Sequence, residues 1–209
     1  MGRQFAEIAF TARVKDRQIR DGSRTAYARL EAEGPDDSVL GSAEIGFIAE
    51  RDSFYMASVI ENGWPYLQHR GGPPGFVKVL GPETVGFADY RGNRQLVSAG
   101  NVDGDDRVAL FFMDYPNRRR LKIFGHAAVL EAKDAAALAK RLGDPAYRAR
   151  VERIVTVKVA GFDWNCPQHI TPRLAPGELT TILEPLKARL AELEAENARL
   201  RSLRGGDLA

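Results

Sequence analysis

Ser53-Phe54-Tyr55-Met56-Ala57-Ser58-Val59 is a β-rich run, Glu61-Asn62-Gly63-Trp64 carries an Asn-Gly hairpin signal, and Pro65-Tyr66-Leu67-Gln68 resumes extended character. Outward from this hairpin, further strand candidates are Phe76–Leu80, Thr84–Asp89, Val108–Asp114 and Leu121–Leu130, with Pro or Gly between most of them. Short strands at a spacing of about ten residues predict an antiparallel barrel or sandwich. A short helix is expected at Asn93–Ala99. Another covers Ala132–Leu142, closed by Gly143-Asp144-Pro145, with helix continuing over Tyr147–Ile154. Val155–Val159 alternates as a final strand, and Gly161–Pro176 reads as an irregular aromatic segment.

Upstream, Val14–Glu33 is charge-dense and helical in part, and Gly34-Pro35-Asp36-Asp37 breaks it. Ser42–Arg51 is a second helical candidate with few apolar anchors. Neither piece can fold alone, so residues 1–52 are expected to form a helical layer packed on a barrel of residues 53–176. The resulting class is mainly β with α, an α+β fold. Residues 177–209 differ again. Leu183, Leu186, Leu190, Leu193, Asn197 and Leu200 fall at alternating steps of three and four, an a/d seam with Asn197 in an a slot, then Arg204 and a Gly205-Gly206 end. Such a helix either pairs as a coiled coil or docks its leucines on its own barrel.

Composition narrows the functional classes. The 209 residues are 44% hydrophobic and 28% charged, which is ordinary globular usage. Lys+Arg of 30 against Asp+Glu of 28 leaves +2, too near neutral for a nucleic-acid binder acting through bulk charge. Cys166 is the one cysteine, which excludes an internal disulfide framework, and His69, His126 and His169 are too scattered for a metal cluster. No stretch of about 18 apolar residues occurs, so no membrane span is expected and a cytoplasmic location is inferred.

Four clusters could carry chemistry. Gln68-His69-Arg70 leads directly into Gly71-Gly72-Pro73-Pro74-Gly75, a guanidinium beside a loop whose glycines permit close approach of a phosphate. Asp89-Tyr90-Arg91-Gly92-Asn93-Arg94 stands at a strand-to-helix junction, where backbone N–H groups favour anions. In Arg118-Arg119-Arg120-Leu121-Lys122-Ile123, alternation puts Arg120 and Lys122 on the face opposite Leu121 and Ile123. Finally, Gly161–Arg173 holds Trp164, Cys166, Gln168 and His169 on a path fixed by prolines, suited to a planar ligand. Each cluster alone is equally well a solvated loop, a solvated face or a core-closing segment. Three basic stations in one small β-domain favour a shared anion over coincidence.

In this order the clusters resemble the pyridoxamine 5′-phosphate oxidase-like flavoproteins, the FMN-binding split β-barrels. The similarity runs over about Ser53–Arg173 and is closest to a flavin-nucleotide-binding branch without an assigned substrate. The family's Gly-x-Pro hairpin and arginine-bearing strand look like Gly63–Arg70, its phosphate turn like Asp89–Arg94, and its Arg-Gln-Val-Arg-x-x-Gly strand like Arg119–Gly125. The resemblance implies a homodimer with FMN at the subunit interface. Gln68, His69, Arg70, Asp89, Asn93 and Arg94 would serve the cofactor from one chain, and Arg120 with Trp164 from the other. A small-molecule substrate and an electron donor or acceptor are implied as well. Departures limit this expectation: the family's Ser and Lys in the phosphate turn are Gly92 and Arg94, and its interface Gln is Arg120. The Arg-x-His pair of pyridoxal-phosphate-forming members is absent from Asn165-Cys166-Pro167-Gln168-His169, so that reaction is not assigned. A non-catalytic flavin-binding or sensing module, or the same barrel with a deazaflavin or haem, stays open.

Overall fold

The structure, a computed structural model, describes residues 1–164 and 166–206. Asn165 and the side chain of Arg204 lie outside what is described. The chain divides into two compact units, 1–114 with 118–169, and 115–117 with 170–209.

The first unit is built on seven strands: β1 (Ser53–Val59), β2 (Pro65–Gly71), β3 (Val77–Gly81), β4 (Thr84–Tyr90), β5 (Arg107–Asp114), β6 (Arg119–Glu131) and β7 (Val151–Trp164). They pair antiparallel in the order β2-β1-β5-β6-β7-β4-β3. Alternation dictates the inner face: Phe54 and Met56 of β1, Leu110 and Phe112 of β5, and Leu121 and Ile123 of β6 are essentially inaccessible to solvent. The sheet curls until its two ends meet. Phe54 of β1 packs on Phe76 and Phe87 near the far edge, at 5.8 and 5.1 Å between ring centroids, as well as on Phe112 at 4.9 Å. This is a split β-barrel. The first hairpin turns where expected, with Gly63 at φ +88°, a conformation that side chains with a Cβ rarely adopt.

Helices α1 (Arg3–Ala9), α2 (Ala12–Arg20), α3 (Arg24–Glu33) and α4 (Ser42–Ala49) precede the sheet. The expected charge-dense segment is therefore two helices, divided where Gly22 takes φ +75°. Lys15 of α2 and Arg24 of α3 both pair with Glu31, and the Phe10 and Tyr27 rings meet edge to face. Helix α1 lies on the barrel through Phe5, stacked on Phe124 at 4.6 Å. The approach is so close that a Cβ on Gly161 of β7 would meet the Phe5 nitrogen at 2.7 Å. No α1 side chain caps its own first turn. Buried Asp37 does so from elsewhere, accepting from the backbone N–H groups of Gly2, Gln4 and Phe5.

Three sequence expectations are corrected. The helix expected at Asn93–Ala99 is α5 (Val97–Gly104), because Arg94 and Leu96 both take left-handed backbone (φ 59° and 58°) and delay its start. The helix expected from Ala132 begins at Ala136, as α6 (Ala136–Leu142), and Tyr147–Ile154 does not continue it. Instead β7 starts at Val151 and runs through Gly161 to Trp164, so the segment read as irregular is partly strand. Pairing with both β4 and β6 overrides the helical preferences of that stretch.

The second unit is dominated by α7 (Pro176–Gly206), 31 residues long, with Pro185 within it. Its apolar residues face outward: Leu183, Leu186, Leu190, Leu193 and Leu200 are 37–62% exposed. The Arg173 guanidinium lies 4.9 Å over the Tyr115 ring.

Candidate anion cleft of the barrel

Strands β2 and β4 stand first and sixth in the sheet, yet Arg70 Nη1 of β2 donates to Asp89 Oδ1 of β4 at 2.6 Å. The curl of the barrel makes this contact possible. Asp89 is opposite Arg153 in the β4–β7 register, and Arg153 Nε donates to its other oxygen at 2.9 Å. Gln68 and Arg70 share the half-buried face of β2, where alternation requires them to lie on one side. Ser98 of α5 donates to Gln68 Oε1 at 2.7 Å, and buried Asn101 donates to Ser58 Oγ of β1 at 2.9 Å. These bonds fasten the start of α5 over the gap between β2 and β4.

The result is a cleft of about 60 Å³ lined by Gln68, Arg70, Asp89, Asn93, Arg94 and Arg153, together with Tyr90, Gly92 and the first residues of α5. Its size suits an anionic group and not a fused ring system. Two of its features are ones an anion could use. First, α5 opens on Leu96 without a side-chain cap, so the N–H groups of its first turn, on residues lining the cleft, have no acceptor in the helix. Second, Arg70 Nε is buried with no hydrogen-bond partner.

Charge reinforces this. Arg91 and Arg94 both pair with Glu152, as Arg70 and Arg153 do with Asp89. Four guanidiniums against two carboxylates leave an excess of two positive charges. The hydrogen bond from Arg94 holds the Glu152 carboxyl below the usual carboxylate range, so it remains an anion at neutral pH. Burial pushes the Tyr90 phenol up, keeping it protonated. The left-handed backbone at Arg94 and Leu96 costs about 1 kcal/mol at each residue, and such strain gathers at ligand clamps.

Of the residues singled out in the sequence, the chain thus gathers Gln68, Arg70, Asp89, Asn93 and Arg94. It does not gather the others. His69 points from the opposite face of β2, with its ring 5.6 Å from that of Tyr55. Arg120 lies on the outer face of β6, 5.9 Å over the Phe111 ring. Trp164 turns toward α4, where its Nε1 donates to Glu44 Oε1 at 2.6 Å and its ring meets Phe47 edge to face. Lys122 is bound to buried Asp163 at 2.6 Å, so the third basic station does not join the first two within one chain. Cys166 is exposed. Sequence reasoning missed Arg153, Glu152 and Ser98. The alternation of Val155–Val159, extended backward, would have found the first two.

A second, more open groove of about 550 Å³ adjoins the cleft, sharing Arg94, Leu96 and Arg153 with it. Among the described residues no group of three or more potential ligands could hold a metal, and no helix is long and apolar enough to cross a membrane.

A curled antiparallel sheet whose two ends meet beneath a helix start defines a split β-barrel protein. The family model for pyridoxamine 5′-phosphate oxidase matches residues 45–162, more than half of the chain, and the protein belongs to that family. Among solved structures, a Lactobacillus delbrueckii protein named for pyridoxamine 5′-phosphate oxidase is similar at 19% identity and TM-score 0.48, covering 61% of this chain and 96% of its own. An FMN-binding protein from Syntrophomonas wolfei is 14% identical at TM-score 0.44, over 58% of this chain and 83% of its own. An FAD-binding protein from Mycobacterium smegmatis is 15% identical at TM-score 0.41, over 61% and 96%. Comparison with curated proteins returns no significant match.

Proposed function

We propose that the protein binds FMN with its phosphate in the cleft between β2, β4 and α5, and that it is an oxidoreductase acting on a small molecule. The carrying observation is the cleft's excess of two positive charges beneath an uncapped helix start, in a chain of this family. A phosphate monoester carries a charge of about −1.5 to −2 near neutral pH, which that excess matches. The residues fit the cofactor. Arg70 offers its unpartnered Nε, Arg94 and Arg153 flank it, and Gln68, Asn93 and the first N–H groups of α5 supply neutral donors. Bound flavin supplies hydride or electron transfer. The chain's own part is to hold the phosphate, orient the ring and exclude water beside it.

The ring requires more wall than the small cleft offers, which supports a homodimer. The outer face of β2, β1 and β5 carries Leu67 at 63% exposure and Tyr55 at 39%, with Phe111 paired beside Tyr55 in register. Arg120 sits on the adjoining strand of this face. In this reading a second copy packs there and brings Arg120 toward the flavin.

Calorimetric titration with FMN and with riboflavin tests the phosphate role. FMN should bind on the order of a hundredfold more tightly, since charge-assisted bonds contribute about 1.5–3 kcal/mol each. Equal affinities would remove the phosphate from the cleft, and no binding of either would remove flavin altogether. For the oxidoreductase reading, FMN-loaded protein given a reduced nicotinamide and an artificial acceptor should turn over steadily. A loaded protein inert to a panel of donors and acceptors would be a binding module instead.

A further inference from the structure

Helix α7 has a feature that flavin binding does not use. Extending its alternating steps places Leu179, Leu186, Leu193 and Leu200 at d, and Leu183, Leu190 and Asn197 at a. Every one of these residues is solvent-exposed in the chain. A groove of about 510 Å³ runs along the seam at Leu190, Leu193 and Asn197, edged by Glu194 and Arg201. We propose that α7 pairs with α7 of a second copy as a parallel, in-register, two-stranded coiled coil.

Charge decides the occupant and its direction. Arg189 and Glu196 fall at g, and Glu194 and Arg201 at e. In a parallel pair each g residue faces the e residue five positions on in the other helix. Arg189 then meets Glu194 of the second copy and Glu196 meets its Arg201, opposite signs at both stations. Antiparallel pairing sets a against d and would lay Asn197 on a leucine. The parallel register sets Asn197 beside its own counterpart, where two amides can satisfy each other. Pro185 occupies a c position on the outer face, away from the seam. Arg189 and Glu196 also bond to Glu192 and Arg199 on their own helix, at 2.8 and 2.7 Å. A guanidinium with five donors and a carboxylate with two oxygens can serve both partners. Docking on the barrel leaves this e/g pattern unexplained. The inference is independent of flavin.

The test uses the full chain with Cys166→Ser, into which Asn197→Cys or Ala195→Cys is introduced. Position 197 faces the seam and 195 the outer f position. Under mild oxidation the seam variant should crosslink to a covalent dimer about tenfold faster than the outer one. Adding Glu194→Arg should slow that crosslink several-fold, and adding Arg189→Glu as well should restore it. Equal crosslinking at the two positions, or none at 197, overturns the coiled coil. A rate at 197 that is indifferent to the charge exchanges overturns the parallel register.

Discussion

Two basic stretches of the same barrel have opposite charge economies. Around the cleft, Arg70, Arg91, Arg94 and Arg153 outnumber Asp89 and Glu152, and the excess is turned toward a concavity. On β6 the cations are absorbed by structure. Arg119 lies 4.7 Å over Trp164 and 5.2 Å over Phe47, while Lys122 pairs with Asp163 and lies 4.9 Å over Phe5. These contacts fasten α4 and α1 to the sheet through cation–π attraction and one buried carboxylate. The same residue types therefore leave uncompensated charge at a cleft in one place and make a fastening in the other. Burial, uncompensated charge and a nearby helix start separate the two roles, and density of Arg and Lys in the sequence does not.

Substitutions can break this contrast. Arg70→Ala should have the largest effect on the cleft, weakening FMN about ten- to a hundredfold in a calorimetric titration and lowering the thermal midpoint, because part-buried Asp89 loses a partner. Arg94→Ala should cost about three- to tenfold in affinity, since its side chain is 55% exposed and Arg91 still faces Glu152. Lys122→Met should leave FMN affinity within about twofold while lowering stability to urea by about 1–3 kcal/mol, because buried Asp163 loses one of its two cationic partners and keeps the Met1 ammonium. A matched loss of affinity in Lys122→Met would join the two stretches into one site.

The smallest expected effect is a pH dependence. Glu152 titrates below its ordinary range in the folded protein, so it binds fewer protons there than when unfolded. Its contribution to stability is present above the ordinary glutamate pKa and is lost as pH falls through the lowered folded value. Thermal midpoints of the parent and Glu152→Gln should differ at pH 7 and converge in acid. Asp105, held at about 2 chiefly by its hydrogen bond from Arg107, gives the same sign, lost between about pH 4 and 2.

Most barrel strands were legible because each presents apolar side chains at a period of two to one core. Val108, Leu110 and Phe112 are an example that needs no tertiary knowledge. Strand β7 was legible only in its middle. Tyr147–Ile154 carries helix-compatible charged residues, and only pairing on both sides makes Val151–Ile154 extended. That error hid Glu152 and Arg153, two of the six charged groups around the cleft. The start of α5 was illegible for another reason: left-handed backbone at an arginine and a leucine contradicts local preference. Arg70 and Asp89 could be chosen individually from the sequence. Their meeting across the barrel gap depends on the curl of the whole sheet.

The contact of Asp89 with both Arg70 and Arg153 has one more consequence. A carboxylate that holds two guanidiniums acts as a resident counter-ion, fixing their rotamers before any ligand arrives. Long cationic side chains lose about 1.5–2 kcal/mol of rotamer entropy when immobilised, and here that loss falls on folding instead of binding. On the proposed reading, an incoming phosphate would meet donors already aimed and would compete with Asp89 for their charge. Affinity at the proposed site would then be a difference between two anions, one covalently part of the chain and one free in solution.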